Sequence, residues 1–336
     1  MDFGRREFIK VAIGGLAGFS AVGFEAREGK SEVLASQSRG GAFGTKACKN
    51  IIFLVSDGMS AGVLGLAEQF LRMKTGRETN WCRLIRENRC VNGLMDTASL
   101  DSLVTDSAAA STAWGSGFRV RNGSINCLPD GTKLTPIAQI AKERGKRIGV
   151  VTTATVTHAT PAGFAAITPN RDDEFLIASQ YLGLVDVALG GGSYFFLPES
   201  RLDRKDLVRS FQEHGYTFVE NREQLRAVPQ NTSKMLGLFS SSHLPYRIDV
   251  EGNDFLVGRI PSLAEMTEIA LRVLKNSEGF LLQVEGARID HAAHHNDIAT
   301  LLREQLEFDQ AIGVVLNFVA EYPDTLVIIT TDHGNS

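Results

Sequence analysis

Ser107 lies in a setting that suits chemistry on an anion. It follows Thr105 and Asp106 and opens a run of small, helix-forming residues that continues to Trp114. This pattern predicts the N-terminus of a helix, with Asp106 or Ser107 as the capping residue and the serine side chain exposed. The N–H groups of the first turn and the helix dipole favour a bound anion, phosphate above all. By itself the pattern is more typical of a simple cap than of a nucleophile.

Three acidic residues lie where apolar segments end. They are Asp57, Glu285 and Asp332, which follow the segments Asn50–Val55, Phe280–Val284 and Thr325–Thr330. Parallel strands end at one edge of a sheet, where open α/β folds bind ligands, so we expect the three side chains to form one cluster. A single Asp before Gly, as at Asp57, is equally common in an ordinary turn. The recurrence at three strand ends favours the cluster.

Four of the seven histidines lie in the sequence beside these acids: His291, His294, His295 and His333. A lone histidine is more often structural than a ligand, but Asp290 and His294 are four residues apart and share one helical face. Carboxylate with imidazole suits Zn²⁺, whereas an all-oxygen group such as Asp57, Glu285 and a threonine suits Mg²⁺. Zn²⁺ would also activate the Ser107 hydroxyl without a histidine base. No G-x-S-x-G elbow is present, which argues against an esterase of the α/β-hydrolase type.

The segments that must position these residues alternate between strand and helix. Further strands are predicted at Gly149–Thr153 and Val185–Leu189. Helices are predicted at 60–73, Lys133–Arg144, Leu202–Phe211, Arg222–Ala227 and Asp297–Glu321. A further helix is predicted to begin at a capping box formed by Ser262–Glu265. The alternation predicts a doubly wound α/β fold with a mostly parallel central sheet flanked by helices. Gly190–Gly192 lacks the lysine of a P-loop and is interpreted as a tight turn. The more polar residues 195–260 are expected to form an excursion beside the sheet.

Composition sets limits on function. The 336 residues are 43% apolar and 22% charged, and the net charge of −4 without a long basic run argues against nucleic-acid recognition.

Arg5-Arg6 before a mild apolar segment predicts a twin-arginine export signal over residues 1–35, with an N-terminal membrane anchor as the alternative and no stable membrane span. Residues 36–49 are interpreted as a linker before a catalytic domain at 50–336. The predicted location is periplasmic or extracellular.

Export permits a disulfide. The four cysteines are Cys48, Cys82, Cys90 and Cys127, and none forms a C-x-x-C motif, which argues against a zinc ribbon. Cys82 and Cys90 are the pair closest in sequence. The sequence leaves their pairing open.

The chain from about Asn50 to Ser336 resembles the alkaline phosphatase family. The matching segments, which keep the family's order, are Ser56-Asp57-Gly58-Met59, Thr105–Ala109, His158–Ala162, Arg171, Met235–Phe239, Glu265–Glu268, Val284–His291 and Thr331–His333. The resemblance implies an alkaline-phosphatase-like fold and a homodimer. It also implies hydrolysis of small phosphate monoesters through a phosphoserine at Ser107.

The resemblance further implies two Zn²⁺ ions and one Mg²⁺ ion. The implied ligands are Asp57, Asp332 and His333 for the zinc beside Ser107, Asp290 and His294 for the second zinc, and Asp57, Thr160 and Glu285 for magnesium. Arg171 would clamp two phosphate oxygens, with Asp106 positioning it. His158 would tune the magnesium site from outside its ligand set.

One departure from the family concerns the second zinc. In the family this ion takes a further histidine from a segment well downstream, whereas this sequence stops three residues after His333. His214 and His243 do not match that position. We therefore expect a truncated chain that lacks its final strands. Alternatives are a catalytically impaired remnant that binds metal or phosphate, and a phosphodiesterase on the same fold; a sulfatase would need a C/S-x-P-x-R context, which Ser107 lacks.

Overall fold

The structure, a computed structural model, describes residues 48–335. The predicted export signal at 1–35 and most of the linker at 36–49 lie outside the described residues. Within the described range, no helix combines the length and the apolar character needed to cross a bilayer. All four cysteines are free thiols, so Cys82 and Cys90 are not bonded to each other.

Seven parallel strands form the central sheet. They are β1 (Asn50–Ser56), β2 (Arg147–Thr155), β3 (Val187–Gly191), β4 (Thr217–Val219), β5 (Met235–Leu238), β6 (Phe280–Gly286) and β7 (Thr325–Thr330). Their order across the sheet is β4-β5-β3-β2-β6-β1-β7, and every neighbouring pair is parallel. The predicted doubly wound α/β fold is confirmed.

Helices cover both faces of the sheet. They are α1 (Ala61–Thr75), α2 (Asn80–Arg86), α3 (Ser107–Ser116), α4 (Ile137–Glu143), α5 (Ala159–Ala165), α6 (Glu174–Tyr181), α7 (Leu207–Glu213), α8 (Arg222–Arg226), α9 (Arg247–Glu251), α10 (Asp254–Arg259), α11 (Leu263–Leu274), α12 (Arg288–His294) and α13 (Ile298–Glu321), with a 3₁₀ turn at Ser193–Phe195. Successive side chains of β6, Leu281 and Leu282, belong to different hydrophobic clusters. One cluster includes α11 and α13, and the other includes α3 to α7. Burial on both faces explains the continuous apolar runs of the central strands.

The segment 195–260 differs from its prediction as an excursion beside the sheet. Its strands β4 and β5 extend the sheet next to β3, where Leu189 pairs with Gly237. These strands have only three and four residues and lie in polar sequence. Such short strands carry no clear period, so the sequence pattern did not separate them from loops.

The glycine run after β3 was also misassigned. Gly190 and Gly191 belong to the strand, and the turn comes at Gly192, whose φ is +97°. A Cβ at Gly191 would lie 2.0 Å from the carbonyl oxygen of Ser242. The glycine is therefore required by the close approach of the loop that follows β5.

Two helices begin later than predicted. Pro136 is the N-cap of α4, so the helix starts at Ile137 instead of Lys133. Asp206 caps α7 by accepting from Arg209 N at 2.9 Å. The predicted capping box of α11 is confirmed, with Ser262 and Glu265 satisfying each other's backbone N–H groups.

Candidate active site

Three adjacent strands bring the predicted carboxylates together. Val55 of β1 is paired with Glu285 of β6 on one side and with Thr330 of β7 on the other. Asp57, Glu285 and Asp332 are therefore carried to one edge of the sheet, and each is fully buried. Burial of three carboxylates in one place is unfavourable unless positive charge compensates them.

Ser107 is the first residue of α3. Asp106 is the N-cap and accepts from Ala109 N at 2.9 Å. The Ser107 Oγ lies 3.3 Å from Nε2 of His333 and 3.5 Å from Oδ1 of Asp57. Only 4% of Ser107 is exposed, so the prediction of an exposed serine was wrong. Helix α3 packs closely against α5, since a Cβ at Gly115 would lie 2.2 Å from the carbonyl oxygen of Gly163.

A cavity of about 340 Å³ opens in front of Ser107. Its lining residues are Val104, Thr105, Asp106, Ser107, His158, Arg171, Asp290, His291, His294, His333, Gly334 and Asn335. Most of the side chains predicted to act thus face one space. A volume of this size suits a small-molecule ligand.

Arg171 is fixed at the cavity wall by Asp106. Its Nη1 donates to Oδ2 of Asp106 at 3.1 Å, and the same oxygen accepts from Gly123 N at 2.9 Å. Its Nη2 donates to Nε2 of His158 at 3.2 Å, because a guanidinium has only donors. Burial, followed by the positive charge of Arg171, holds the pKa of His158 well below its ordinary value. His158 is therefore a neutral imidazole with its proton on Nδ1.

The ligands predicted for the first zinc lie around Ser107. His333 Nε2 is 3.6 Å from Oδ1 of Asp57 and 3.3 Å from Oδ2 of Asp332. The ligand atoms that lie within 4.8 Å of one another are those of Asp57, Asp290 and His333, so this group contains Asp290, predicted for the second zinc, in place of Asp332. Oδ2 of Asp57 and Oδ2 of Asp332 are buried without a hydrogen-bond partner. Two carboxylates and an imidazole with free lone pairs fit a Zn²⁺ ion.

The Asp290–His294 pair forms on α12, as the spacing predicted. Oδ2 of Asp290 is 3.4 Å from Nε2 of His294, and Oδ1 of Asp290 accepts from Nδ2 of Asn335 at 2.8 Å. Within residues 48–335, no third histidine, cysteine or carboxylate groups with this pair at ligand distance. The pair offers two ligands to a metal ion.

An oxygen-rich group lies between β1, β2 and β6. Carboxylate oxygens of Asp57 and Glu285 and a ring nitrogen of His158 lie within 4.8 Å of one another. Thr152 Oγ1 donates to Oε2 of Glu285 at 2.6 Å, while Oε1 of Glu285 and Oγ1 of Thr160 are buried without partners. These unpaired oxygens fit a hard cation such as Mg²⁺.

Two carboxylates at this edge, Asp57 and Glu285, are shifted toward the protonated state when no cation is bound. Burial, followed by the negative charges of Asp332 and Glu285, raises the pKa of Asp57 well above its ordinary value. Burial raises the pKa of Glu285 to about 7, although the Thr152 hydroxyl lowers it. A bound cation is the ordinary means of keeping such a group ionised.

Gly58 lies between the two predicted sets of zinc ligands. Its φ is +64°, and a Cβ at this position would lie 2.2 Å from Oδ1 of Asp290. Its N–H donates to Oδ1 of Asp332 at 2.9 Å, and its carbonyl accepts from Asn335 N at 3.1 Å. Only glycine fits between the two groups in this conformation.

The sequence analysis named His291 among the clustered histidines but assigned no role to it, to His243 or to Arg288, which lie on the far side of His158. The rings of His158 and His291 are 5.7 Å apart, and His243 lies 4.6 Å from His291 and 5.6 Å from His158. Nη1 of Arg288 donates to Nδ1 of His291 at 2.8 Å. Burial is the main cause that lowers the pKa of His243 to about 4 and of His291 to about 3. His291 and Arg288 belong to the Val284–His291 motif and could have been found there, whereas His243 had no sequence signal.

Comparison with known proteins agrees with this geometry. A family model described as alkaline phosphatase matches residues 48–336. Alkaline phosphatase 3 of Bacillus subtilis is 35% identical over 298 residues, which cover 85% of this chain and 61% of the relative. The crystal structure of Thermus thermophilus alkaline phosphatase is 41% identical with a TM-score of 0.82, covering 90% of this chain and 64% of that chain.

A mutant of TAB5 alkaline phosphatase, with Mg bound in its M3 site, is 30% identical with a TM-score of 0.72, covering 86% of this chain and 79% of that chain. The chain spans about three fifths of the length of the B. subtilis relative. The family model nevertheless covers the whole described range. The chain therefore belongs to the alkaline phosphatase family.

Proposed function

We propose that the protein is a metal-dependent phosphomonoesterase that uses Ser107 as its nucleophile. The observation that carries this proposal is the position of the Ser107 hydroxyl, within 3.5 Å of Asp57 and 3.3 Å of His333, in a cavity shared with Arg171. A serine at a helix N-terminus beside an arginine offers both a nucleophile and a phosphate cradle. The unpaired buried oxygens behind the serine supply the sites for cations.

The proposed ions are two Zn²⁺ and one Mg²⁺. Their ligands would be Asp57, Asp332 and His333 for one zinc, Asp290 and His294 for the other, and Asp57, Glu285 and Thr160 for magnesium. The unpaired oxygens of Asp57, Asp332, Glu285 and Thr160 support this assignment. When bound, the ions supply positive charge to the phosphate and to its entering and leaving oxygens.

The residues of the chain account for two successive transfers. Ser107 Oγ forms a bond to phosphorus as the bond to the ester oxygen breaks; the serine loses its proton and the leaving oxygen gains one, so an alcohol departs. Water then forms the new bond to phosphorus as the bond to Ser107 Oγ breaks, and the serine regains its proton as phosphate leaves. Arg171 holds two phosphate oxygens in both transfers, and the Asp106 carboxylate keeps its guanidinium in place. His158 accepts from Arg171 through Nε2, and its Nδ1 is buried without a partner.

Hydrolysis of an aryl phosphate tests this function directly. We expect 4-nitrophenyl phosphate to be hydrolysed at alkaline pH when Zn²⁺ and Mg²⁺ are supplied, and the activity to disappear with a chelator and to return with metal. Ser107→Ala is the matched negative control. Turnover that resists the chelator, or that survives in Ser107→Ala, would contradict the proposal.

A second candidate is a remnant that binds metal or phosphate without turnover. The observation that favours it is the pair Asp290–His294, which has no third protein ligand among residues 48–335. Metal analysis and turnover on one sample separate the two candidates. Bound zinc with phosphate binding but no hydrolysis would support the remnant.

The protein is further proposed to act on small phosphate monoesters as a homodimer. The cavity size supports a small substrate, and the net charge of −4 gives no support for a nucleic-acid partner.

Exposed apolar side chains in the segment before Ser107, among them Leu94, Leu103 and Val104, support a protein contact there. Light scattering after size-exclusion chromatography tests the assembly, and a mass of one chain would contradict the dimer.

Export by the twin-arginine route is proposed from Arg5 and Arg6 and the mild apolar segment after them, which lie outside the described residues. It places the mature protein in the periplasm or outside the cell. Replacing both arginines by lysine should retain the protein in the cytoplasm. Unchanged export of the double variant, measured by cell fractionation, would refute this route.

A further inference from the structure

Two arginines and three histidines form a continuous group that begins at the cavity wall. We name Arg171, His158, His291, His243 and Arg288 the Arg–His strip. Arg171 donates to His158 at 3.2 Å and Arg288 donates to His291 at 2.8 Å. The rings of His158, His243 and His291 lie 4.6 to 5.7 Å apart. The strip thus extends from the proposed phosphate clamp to a second guanidinium.

Hydrogen bonds within the protein determine which ring nitrogens of the Arg–His strip can still donate to a ligand. Nδ1 of His291 accepts from Arg288, so the proton of this neutral ring is on Nε2. Nδ1 of His243 accepts from Thr155 N at 3.2 Å, so its proton is also on Nε2. Both rings therefore keep one N–H donor for an outside acceptor, and His291 lines the same cavity as Ser107.

The strip carries positive charge that the described chain leaves partly uncompensated. Arg171 is paired with Asp106. Among residues 48–335, Arg288 has no carboxylate within 4.0 Å; its Nε is buried without a partner, and its guanidinium lies 3.7 Å from the ring centre of Tyr246. The nearby carboxyl of Glu304 accepts from Arg247 N instead. A half-buried guanidinium in a group with two imidazole rings, each of which keeps one N–H donor, is a suitable environment for an oxyanion.

We propose that the Arg–His strip binds a second oxyanion on the leaving group of the substrate. Preferred substrates are then phosphate monoesters that carry a further carboxylate or phosphate group, with the scissile phosphate at Arg171 and the second group at His243, His291 and Arg288. This inference rests on the proposed phosphatase function, because it places the scissile phosphate in front of Ser107. The phosphate clamp alone would not distinguish these substrates from phosphate monoesters that lack a second anionic group.

The test measures binding without turnover. Metal-loaded Ser107→Ala is titrated by calorimetry with phenyl phosphate and with the ortho, meta and para isomers of carboxyphenyl phosphate. We expect at least one isomer to bind about tenfold more tightly than phenyl phosphate, the gain typical of one charge-assisted contact. Each isomer differs from phenyl phosphate only by its added carboxylate.

Variants of the strip locate the gain. In the same background, Arg288→Met and His243→Leu should reduce the preference for the carboxylated ligand to about onefold and leave phenyl phosphate affinity unchanged. His243→Gln should retain much of the preference, since its amide can accept from Thr155 N and donate to the ligand. His214→Asn, at an exposed histidine on α7's C-cap, is the control and should change neither affinity.

The outcomes distinguish this inference from the function on which it rests. Equal affinities for phenyl phosphate and every carboxylated isomer would overturn the second subsite alone, as would a preference that survives both strip variants. Failure of all ligands to bind would overturn the phosphate site and the inference together. If Arg288→Met does not fold, the preference measured in His243→Leu decides.

Discussion

Replacing Glu304 by glutamine should make the stability of the protein less sensitive to a rise in pH from about 5 to about 8. Glu304 lies on α13 and is 3% exposed, and its Oε1 accepts from Arg247 N at 2.5 Å. Burial raises the pKa of this carboxyl from 4.5 to about 8. Glutamine keeps the acceptor oxygen and nearly the same volume but cannot ionise, so the substitution isolates the effect of the charge.

The sign and size of the effect follow from proton binding. Between pH 4.5 and about 8 the unfolded chain loses the Glu304 proton while the folded chain keeps it, so the free energy of unfolding falls as the pH rises. The decline stops above the folded pKa, where both states are ionised. At about 1.4 kcal/mol per pH unit, the interval from 4.5 to about 8 corresponds to about 5 kcal/mol at most. We expect the stability of Glu304→Gln relative to the wild type to grow by about 2 to 5 kcal/mol between pH 5 and pH 9.

Urea denaturation of the metal-free protein, followed by circular dichroism, measures this difference. Asp57 and Glu285 titrate in both proteins, so their contributions cancel in the comparison. Glu213→Gln, at a side chain that is 60% exposed, is the matched control and should follow the wild type. Parallel pH dependences for the wild type and Glu304→Gln would refute the reasoning, because they would mean that the Glu304 carboxyl does not hold its proton in the folded state.

Three further predictions concern the active site. Ser107→Ala should abolish labelling by radioactive phosphate while leaving zinc content unchanged in metal analysis; equal labelling of both proteins would remove the serine from its role. Arg171→Ala should weaken competitive inhibition by inorganic phosphate about tenfold or more, because a charged bidentate clamp is lost, and an unchanged inhibition constant would contradict the clamp. Thr152→Val should lower Mg²⁺ affinity about 10- to 100-fold in equilibrium dialysis, because Glu285 loses its 2.6 Å hydrogen bond. Unaltered Mg²⁺ binding would show that Glu285 needs no such partner.

The central sheet could be predicted because its strands are buried on both faces. The apolar runs before Asp57, Glu285 and Asp332 are long enough to be unambiguous, and parallel pairing then brings their ends together. The four-residue spacing of Asp290 and His294 likewise predicted a shared helical face. These signals are local, and local patterns are what a single sequence carries.

The parts that escaped prediction depend on contacts between distant segments. His243 reaches the site because Thr155 N, 88 residues away, donates to its ring, and nothing near His243 in the sequence indicates this. Strand β5 forms because β3 offers it an edge, and β4 forms on the edge of β5, not because of their own composition. The burial of Ser107 similarly results from the packing of α3 on its surroundings, which a capping pattern does not describe.

The contact between Gly58 and Asp290 links two positions that are far apart in the chain. No side chain fits at residue 58 unless α12 moves, because the carboxylate of Asp290 already occupies that space. The β1 turn and α12 therefore cannot diverge separately during evolution: a change in one requires a matching displacement of the other. Altering the ion preference of one of the proposed zinc sites would consequently require coordinated substitutions in both segments.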